Sequence, residues 1–275
     1  MKTAVVIVTH NAEAVLGRCL AALAAQTVPP VVVALIDSGS DDTGYVQTYG
    51  SQPGFLVRCV ENIGFSQANN LGWQMVRQEA ELVLFLNPDA FPAPESLELA
   101  CAFLAANPTV GCVGGRLLGF DAAGGQPTGT GLLDSTGVFR KWYGRWYDRD
   151  QGQPDCGQHR EQEEVPAVCG AFLLARRTAL EQTALPCGAV FDPAFFLYKE
   201  DIELCLRLRR AGWKIVYLPE VVAHHCRGWQ QNRKAMPAWL RLTAARNEVL
   251  LYRHHPSPYM LWAMLKYAAV RWLKV

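Results

Sequence analysis

The chain has 275 residues, 50% of them hydrophobic and 19% charged, and a net charge of +1. This excludes a disordered chain and leaves room for one large α/β domain, alone or with an appendage. The charge is uneven: residues 226–275 carry nine Lys and Arg against one acid, Glu248, whereas the other 225 residues carry 17 basic and 24 acidic side chains. A basic tail on an acidic body points that tail at something anionic.

The apolar run at residues 3–8 is too short for a secretion signal and reads as a β-strand. Residues 14–26 place Val15, Leu16, Cys19, Leu20 and Leu23 on one helical face. Strands follow at 31–36 and 55–60, a helix at 65–78 and a strand at 82–86. Pro94 suits the first turn of a helix that runs to about residue 106 and stops before Pro108; residues 110–113 form the next strand. From about 119 to 164 the periodicity breaks into Gly, Asp, Gln and aromatic residues, with Lys141-Trp142-Tyr143-Gly144-Arg145-Trp146-Tyr147 in the middle. This stretch reads as a long functional loop or subdomain. Regular patterns return at 165–175, as a helix at 201–211 closed by Gly212, and as a strand at 213–218. Beyond His225 the chain reads as mainly helical. No window of about 18 uncharged apolar residues marks a membrane span. Nine cysteines, an odd number without a CxxC pair and several in apolar runs, are expected to be buried thiols under reducing conditions.

Apolar strands alternating with helices imply a mostly parallel sheet covered on both faces, with a ligand outside the carboxyl ends of its strands. Those ends carry Thr9-His10-Asn11, Asp37-Ser38-Gly39-Ser40-Asp41-Asp42, Glu61-Asn62-Ile63-Gly64 leading to Asn69, and Asn87-Pro88-Asp89. Such Asn, Ser and Asp groups suit a pyrimidine edge and ribose hydroxyls. A diphosphate also needs neutralising, and Mn²⁺ or Mg²⁺ held by Asp89 would do so. Each site alone could be turn chemistry; four after four strands make a site. Glu200-Asp201 opens a later helix, where a carboxylate is either a bland N-terminal partner of the helix dipole or a proton acceptor for an attacking hydroxyl. The tandem His224-His225 follows another apolar run, as structural residues or as a metal ligand.

These motifs, with Cys169-Gly170-Ala171-Phe172 and Glu200-Asp201-Ile202-Glu203-Leu204, resemble a family-2 glycosyltransferase of the GT-A fold, rhamnosyltransferase-like group, over roughly residues 3 to 230. The resemblance implies an α/β nucleotide-binding sheet flanked by helices over 1–225, divided near 115 into nucleotide-binding and acceptor-side halves. A basic, mainly helical segment, 226–275, follows. It implies an inverting transfer from a dTDP- or UDP-linked sugar, rhamnose favoured, to a saccharide or lipid-linked acceptor. Thr9, Asn11, Asp37, Ser38, Asn62, Gly64, Asn69, Asn87, Asp89 and Gly170 are the expected nucleotide-sugar residues. Asp89 with His224 would hold the divalent cation, and Asp201, with Glu200 beside it, would be the catalytic base. Asn87 stands where the family has its first DxD acid, and His10 stands where an aromatic residue is usual.

A sugar nucleotidyltransferase would want a basic, Gly-rich phosphate loop near the N-terminus, which this chain lacks; Gly129-Thr130-Gly131 opens no dinucleotide-binding unit. A catalytically silent nucleotide-sugar-binding protein has no physical need for Asp89 and Glu200-Asp201 together. No nucleic-acid partner is expected, and a homodimer is left open. The expected location is the cytoplasm, peripheral on the inner face of the cell membrane. There the helix expected over 259–275 would turn Lys266, Arg271 and Lys274 to one side and apolar residues to the other.

Overall fold

A computed structural model of the chain describes residues 1–122, 128–226 and 236–273. Its first half follows the expected alternation. Strands β1 (Thr3–Thr9), β2 (Val32–Ser38), β3 (Phe55–Val60) and β4 (Leu82–Leu86) are separated by helices α1 (Glu13–Ala24), the short α2 (Gly44–Gln47) and α3 (Phe65–Val76). Every residue of β1 and β4 is buried, as two-sided cover requires, whereas β3 is an edge strand with exposed alternate positions. Strand β5 (Ala90–Pro92) leads into helix α4 (Ser96–Ala106).

The described residues of the stretch from 119 to 164, expected as a loop or subdomain, include several strands. Strand β6 runs Val110–Asp121, well past residue 113, and β7 (Thr128–Ser135) returns antiparallel to it. Strands β8 (Val138–Arg140) and β9 (Trp146–Asp148) form a separate two-stranded sheet, and β10 (Glu163–Glu164) joins the main sheet. Glycines at 111, 114, 115 and 119 in β6, and at 129 and 131 in β7, erase the apolar alternation that marks a strand. Strand β11 (Phe172–Arg176), helices α5 (Arg177–Gln182) and α6 (Glu200–Arg210), and β12 (Lys214–His225) complete the body. Strand β12 likewise outruns the expected end at 218, with a register shift between Leu218 and Val222.

Among the described residues the main sheet has the order β10-β12-β6-β11-β4-β1-β2-β3, with β5 on β12 and β7 on β6. Strands β4, β1, β2 and β3 are parallel, and β11 lies antiparallel between β4 and β6. Register fixes the functional edge. Thr9 is level with Asp37, and Leu86 is level with both Ile7 and Phe172. The residues after β1, β2 and β4 and those before β11 therefore share one rim.

The C-terminal segment packs on this body. Helix α7 (Ala238–His254) buries Asn247, Glu248, Leu251 and Tyr252. The Tyr252 hydroxyl donates to the carbonyl of Gly144. Helix α8 (Met260–Ala268) lies on α7 and passes into a π-helical turn, Ala269–Leu273, so the expected single helix is broken. Lys266 does not face out with Arg271; it turns inward onto the buried Glu248. Arg233, Lys234 and Lys274 lie outside the described residues. No helix among the described residues is long and apolar enough to cross a membrane. All nine cysteines are unpaired, but Cys59, Cys156 and Cys187 are exposed rather than buried, on the edge strand β3 and in turns.

Candidate active site

The β2 turn is built on Asp37. Its fully buried carboxylate accepts bonds from the hydroxyls of Thr9 (3.0 Å), Ser40 (2.5 Å) and Tyr45 (3.0 Å) and from the Ser40 backbone N–H (3.0 Å). Four donors offset the cost of burying a charge. Thr9 and Asp37 thus form the floor of the rim, not a free hydrogen-bonding edge. The exposed groups stand above them. Asn11, with φ of 49°, exchanges bonds with Asp41, and the His10 ring sits 2.9 Å from the Ser38 carbonyl. Ser38 Oγ accepts from Ile63 N at 3.1 Å, which joins the β2 turn to the start of α3. There Asn62 Oδ1 accepts from Gly64 N (3.2 Å), and the buried Asn69 donates to the Phe65 carbonyl (3.0 Å). Gly64 has φ of 81°, and any Cβ would strike the Phe196 ring at 2.4 Å, so only glycine fits.

A second group gathers where β4 ends. Asp89, with its side chain 27% exposed, lies 3.3 Å from His225 Nε2; the other ring nitrogen, Nδ1, meets the buried Asp134 at 2.8 Å. Asn87 Nδ2 is placed 3.3 Å from the same Nε2, and its Oδ1 is buried without a partner. Side-chain amides are assigned by their bonds, and turning this one would give the ring N–H an acceptor. Burial opposes a charge on His225, but the bonds to Asp134 and Asp89 outweigh it and lift the ring to about 9. The histidine that meets Asp89 is therefore His225 and not the expected His224. Successive strand residues face opposite ways; His224 instead packs edge-on against Phe120, and burial lowers its pKa. Asp134 was hidden inside the misread loop.

Among the described residues no three His, Cys, Asp or Glu side chains stand ready as a closed metal cage. The corner nevertheless fits a hard divalent cation, which takes one or two protein ligands and fills its other positions with phosphate oxygens. Asp89 would supply a partly exposed carboxylate and His225 a nitrogen once its proton leaves, with Asn87 holding the ring in place.

The third group is the turn before α6. Tyr198 and Lys199 have φ of 74° and 73°, two consecutive left-handed residues that glycine would normally occupy. Asn247 of α7, itself buried, holds them by donating to the carbonyls of Leu197 (2.8 Å) and Tyr198 (2.9 Å). The turn presents Glu200 and Asp201. Asp201 accepts from Gly170 N (2.9 Å) and Ile202 N (2.8 Å). A Cβ on Gly170 would sit 3.3 Å from Asp201, so the glycine keeps that approach open. Burial pushes Asp201 above the usual carboxylate range, the two N–H bonds pull it back, and Asp148 adds a like charge. Glu200 is raised to about 8 by burial and by the Asp201 charge. At neutral pH Glu200 holds its proton, whereas Asp201 keeps two N–H donors on its carboxylate.

Gly170 and Ala171 tie the groups together. Gly170 N holds Asp201, and the next residue's carbonyl accepts from Asn87 N at 3.1 Å. The loop after α5 is tied to α3 by Asn70, which donates to the Phe191 carbonyl (2.7 Å) and accepts from Val190 N and Phe191 N (2.9 Å each). Glu203 on α6 is held down to about 2: burial alone would raise it, but His255 and Arg207 outweigh that. In the aromatic run 141–147, Trp146 is buried, whereas Trp142 is 84% exposed. A cleft of about 620 Å³ at the far end of α6, by Arg209, Arg210 and Tyr252, lies away from this rim.

The sequence profile described as "Glycosyltransferase like family 2" matches residues 2–246, from β1 into α7. The chain belongs to this family. This glycosyltransferase is 30% identical, over 239 residues covering 80% of its length and 75% of the relative's, to the N-acetylglucosaminyl-diphospho-decaprenol L-rhamnosyltransferase of Mycobacterium tuberculosis. Among solved structures, GalNAc-T7 with UDP, GalNAc and Mn²⁺ superposes with a TM-score of 0.74 at 18% identity, covering 98% of the glycosyltransferase and 50% of that chain. The glycosyltransferase therefore spans half the length of that neighbour. The mannosyltransferase PcManGT of Pyrobaculum calidifontis, with GDP-Man and Mn²⁺, matches with a TM-score of 0.57 at 17% identity, covering 98% and 70%. At such identities these likenesses speak for the GT-A fold.

Proposed function

We propose that this glycosyltransferase moves rhamnose from a dTDP- or UDP-linked donor to a hydroxyl of a lipid-linked saccharide on the inner face of the cell membrane. The M. tuberculosis relative, named for L-rhamnosyl transfer and N-acetylglucosaminyl-diphospho-decaprenol, supports both the sugar and the lipid link. The observation that carries the mechanism is the pair Gly170–Ala171, which ties Asp201 and Asn87, two residues before Asp89, to adjacent backbone groups.

Asp201 accepts the proton of the attacking hydroxyl, whose oxygen bonds to the anomeric carbon as the bond to the leaving phosphate breaks. A single displacement inverts that carbon. Asp201 suits the part because two N–H donors favour its ionised form, whereas Glu200 is protonated at neutral pH. Asp89 and His225 would hold a divalent cation, which would supply positive charge to offset that on the leaving diphosphate. The exposed Asn11 and Asn62, above the buried floor of Thr9, Asp37, Ser38 and Asn69, receive the nucleoside, and Gly64 leaves room for the Phe196 ring beside them.

A thermal-shift screen of nucleotide sugars with and without Mn²⁺ tests the reading, because a ligand that binds only the folded state raises its melting temperature. The expected result is stabilisation by a dTDP- or UDP-sugar that needs Mn²⁺ and is lost in Asp89→Asn. Turnover of that variant in Mn²⁺ at the wild-type rate, or a product with retained anomeric configuration, refutes the assignment.

A further inference from the structure

Helix α8 has two unlike faces. Inward, Ala263 is fully buried and Lys266 reaches the buried Glu248. Outward, Leu261, Met264 and Leu265 are 66%, 55% and 60% exposed. At about 100° per residue these three and the exposed Ala268 fall within an arc of about 100°. Trp272 extends the stripe, 77% exposed. The β8–β9 turn adds Trp142, whose ring packs on Tyr143 at 5.4 Å; Tyr143 packs on Trp262 of α8 at 4.8 Å. A run of large apolar groups this exposed marks a docking surface.

The charges around it decide what docks. Lys141 and Arg271, both exposed, stand beside Trp142 and Trp272 at opposite ends of the stripe. Residues 226–275 contain a single acid, Glu248, and it is fully buried against Lys266. No negative side chain of that segment therefore faces outward. A second copy seated here would bring more cations without an acid from this segment to answer them. An anionic lipid headgroup layer answers them, and its acyl boundary takes the apolar stripe. Indole rings also favour that boundary.

We infer that the outward face of α8, with Trp142 and Trp272 at its ends, inserts into the headgroup–acyl boundary of an anionic bilayer. The inference deepens the proposed function and rests on it, because a membrane-held acceptor calls for a membrane-held enzyme. It also replaces the expectation of a basic helical face: Lys266 is withdrawn into the body, so the surface that meets lipid is apolar with cations at its ends.

Co-sedimentation of the full chain with vesicles of phosphatidylcholine alone, or mixed three to one with phosphatidylglycerol, tests it. Binding to the mixed vesicles is expected, with a blue shift of tryptophan emission and residual binding in 0.5 M salt, because burial of apolar surface is not screened. Leu265→Glu and Met264→Glu sit on the exposed face, so their melting temperatures should stay unchanged while vesicle binding weakens about tenfold or more. Val28→Glu, at an exposed apolar position in the loop before β2, should bind like wild type. No binding at low salt overturns the inference, as does complete loss of binding in 0.5 M salt. Equal weakening by Val28→Glu does the same. A dimer dispersed by Leu265→Glu, with no vesicle binding, assigns the face to a second copy and overturns it as well. Transfer to a water-soluble acceptor analogue should be unaffected by Leu265→Glu. Vesicle binding without any nucleotide-sugar binding would sink the proposed function and leave the docking surface standing.

Discussion

Glu200→Gln isolates the cost of a buried carboxyl beside Asp201, the proposed base. Glu200 is 6% exposed, its Oε2 has no hydrogen-bond partner, and burial with the Asp201 charge raises it from 4.5 to about 8. Its folded value lies above its unfolded one. Its contribution is therefore fully present below about pH 4.5 and is lost as pH rises through about 8. A shift of that size corresponds to about 3–5 kcal/mol, at about 1.36 kcal/mol per unit. Glutamine matches the protonated acid in shape and never ionises. Near pH 5 the variant should match the wild type to within about 1 kcal/mol. At pH 9 it should be the more stable protein by about 3–5 kcal/mol, roughly 6–15 °C in melting temperature for a chain of this size. Urea denaturation and thermal melts across pH 5–9, without nucleotide or metal, measure this directly. Parallel stability curves for the two proteins would refute the claim that Glu200 is buried as a neutral acid. The same variant should retain transfer activity at pH 7, because its side chain is already uncharged there.

Asp201→Asn should lose about 10²–10⁴-fold in turnover with donor binding preserved; if it stays active while Glu200→Gln is inactive, the two roles are exchanged. Asn247→Ala frees the strained turn at Tyr198-Lys199, so kcat should fall more than donor KM rises. Stability should drop by about 1–3 kcal/mol from the two unmet carbonyls, and an unchanged kcat would deny Asn247 its positioning role. Trp146→Ala should destabilise by about 3–5 kcal/mol, because the ring is buried; an unchanged melting temperature with a raised acceptor KM would refute this and make Trp146 an acceptor contact. Glu203→Gln removes the charge that Arg207 and His255 stabilise. Wild type should lose that advantage as pH falls from about 4.5 towards about 2, and the variant should show no such acid-side loss.

Much of the architecture was legible in the residues. Parallel strands buried on both faces must be continuously apolar, so β1, β2 and β4 could be read almost to the residue, and the polar residues that follow each could be assigned to one rim. The motif resemblance then named Asp89, Gly170 and Asp201; the structure bonds Gly170 N to the Asp201 carboxylate and Ala171 O to the backbone of Asn87, two residues before Asp89. The reading failed where glycine replaces the apolar signal. Strands β6 and β7 carry six glycines between them, so the hairpin that delivers Asp134 looked like a loop. Trp142 and Trp146, four residues apart in one aromatic run, were indistinguishable until the β8–β9 pairing put one outside and the other inside.

Over the first half of the chain the sequence by itself determined the local terms: which segments are strands or helices, where the chain turns, and which turns carry carboxylates. Those follow from hydrophobic period and turn chemistry, which act over a few residues. Only the tertiary structure decided partnerships across the chain. His225 rather than His224 meets Asp89 because strand residues alternate faces, and the register of β12 on β5 and β6 sets which face points to the rim. Asn247 reaches the turn before α6 from fifty residues away, and Glu248 draws Lys266 inward and leaves an apolar helix face exposed. Such contacts depend on how separate elements pack, a long-range property that no local pattern of residues encodes.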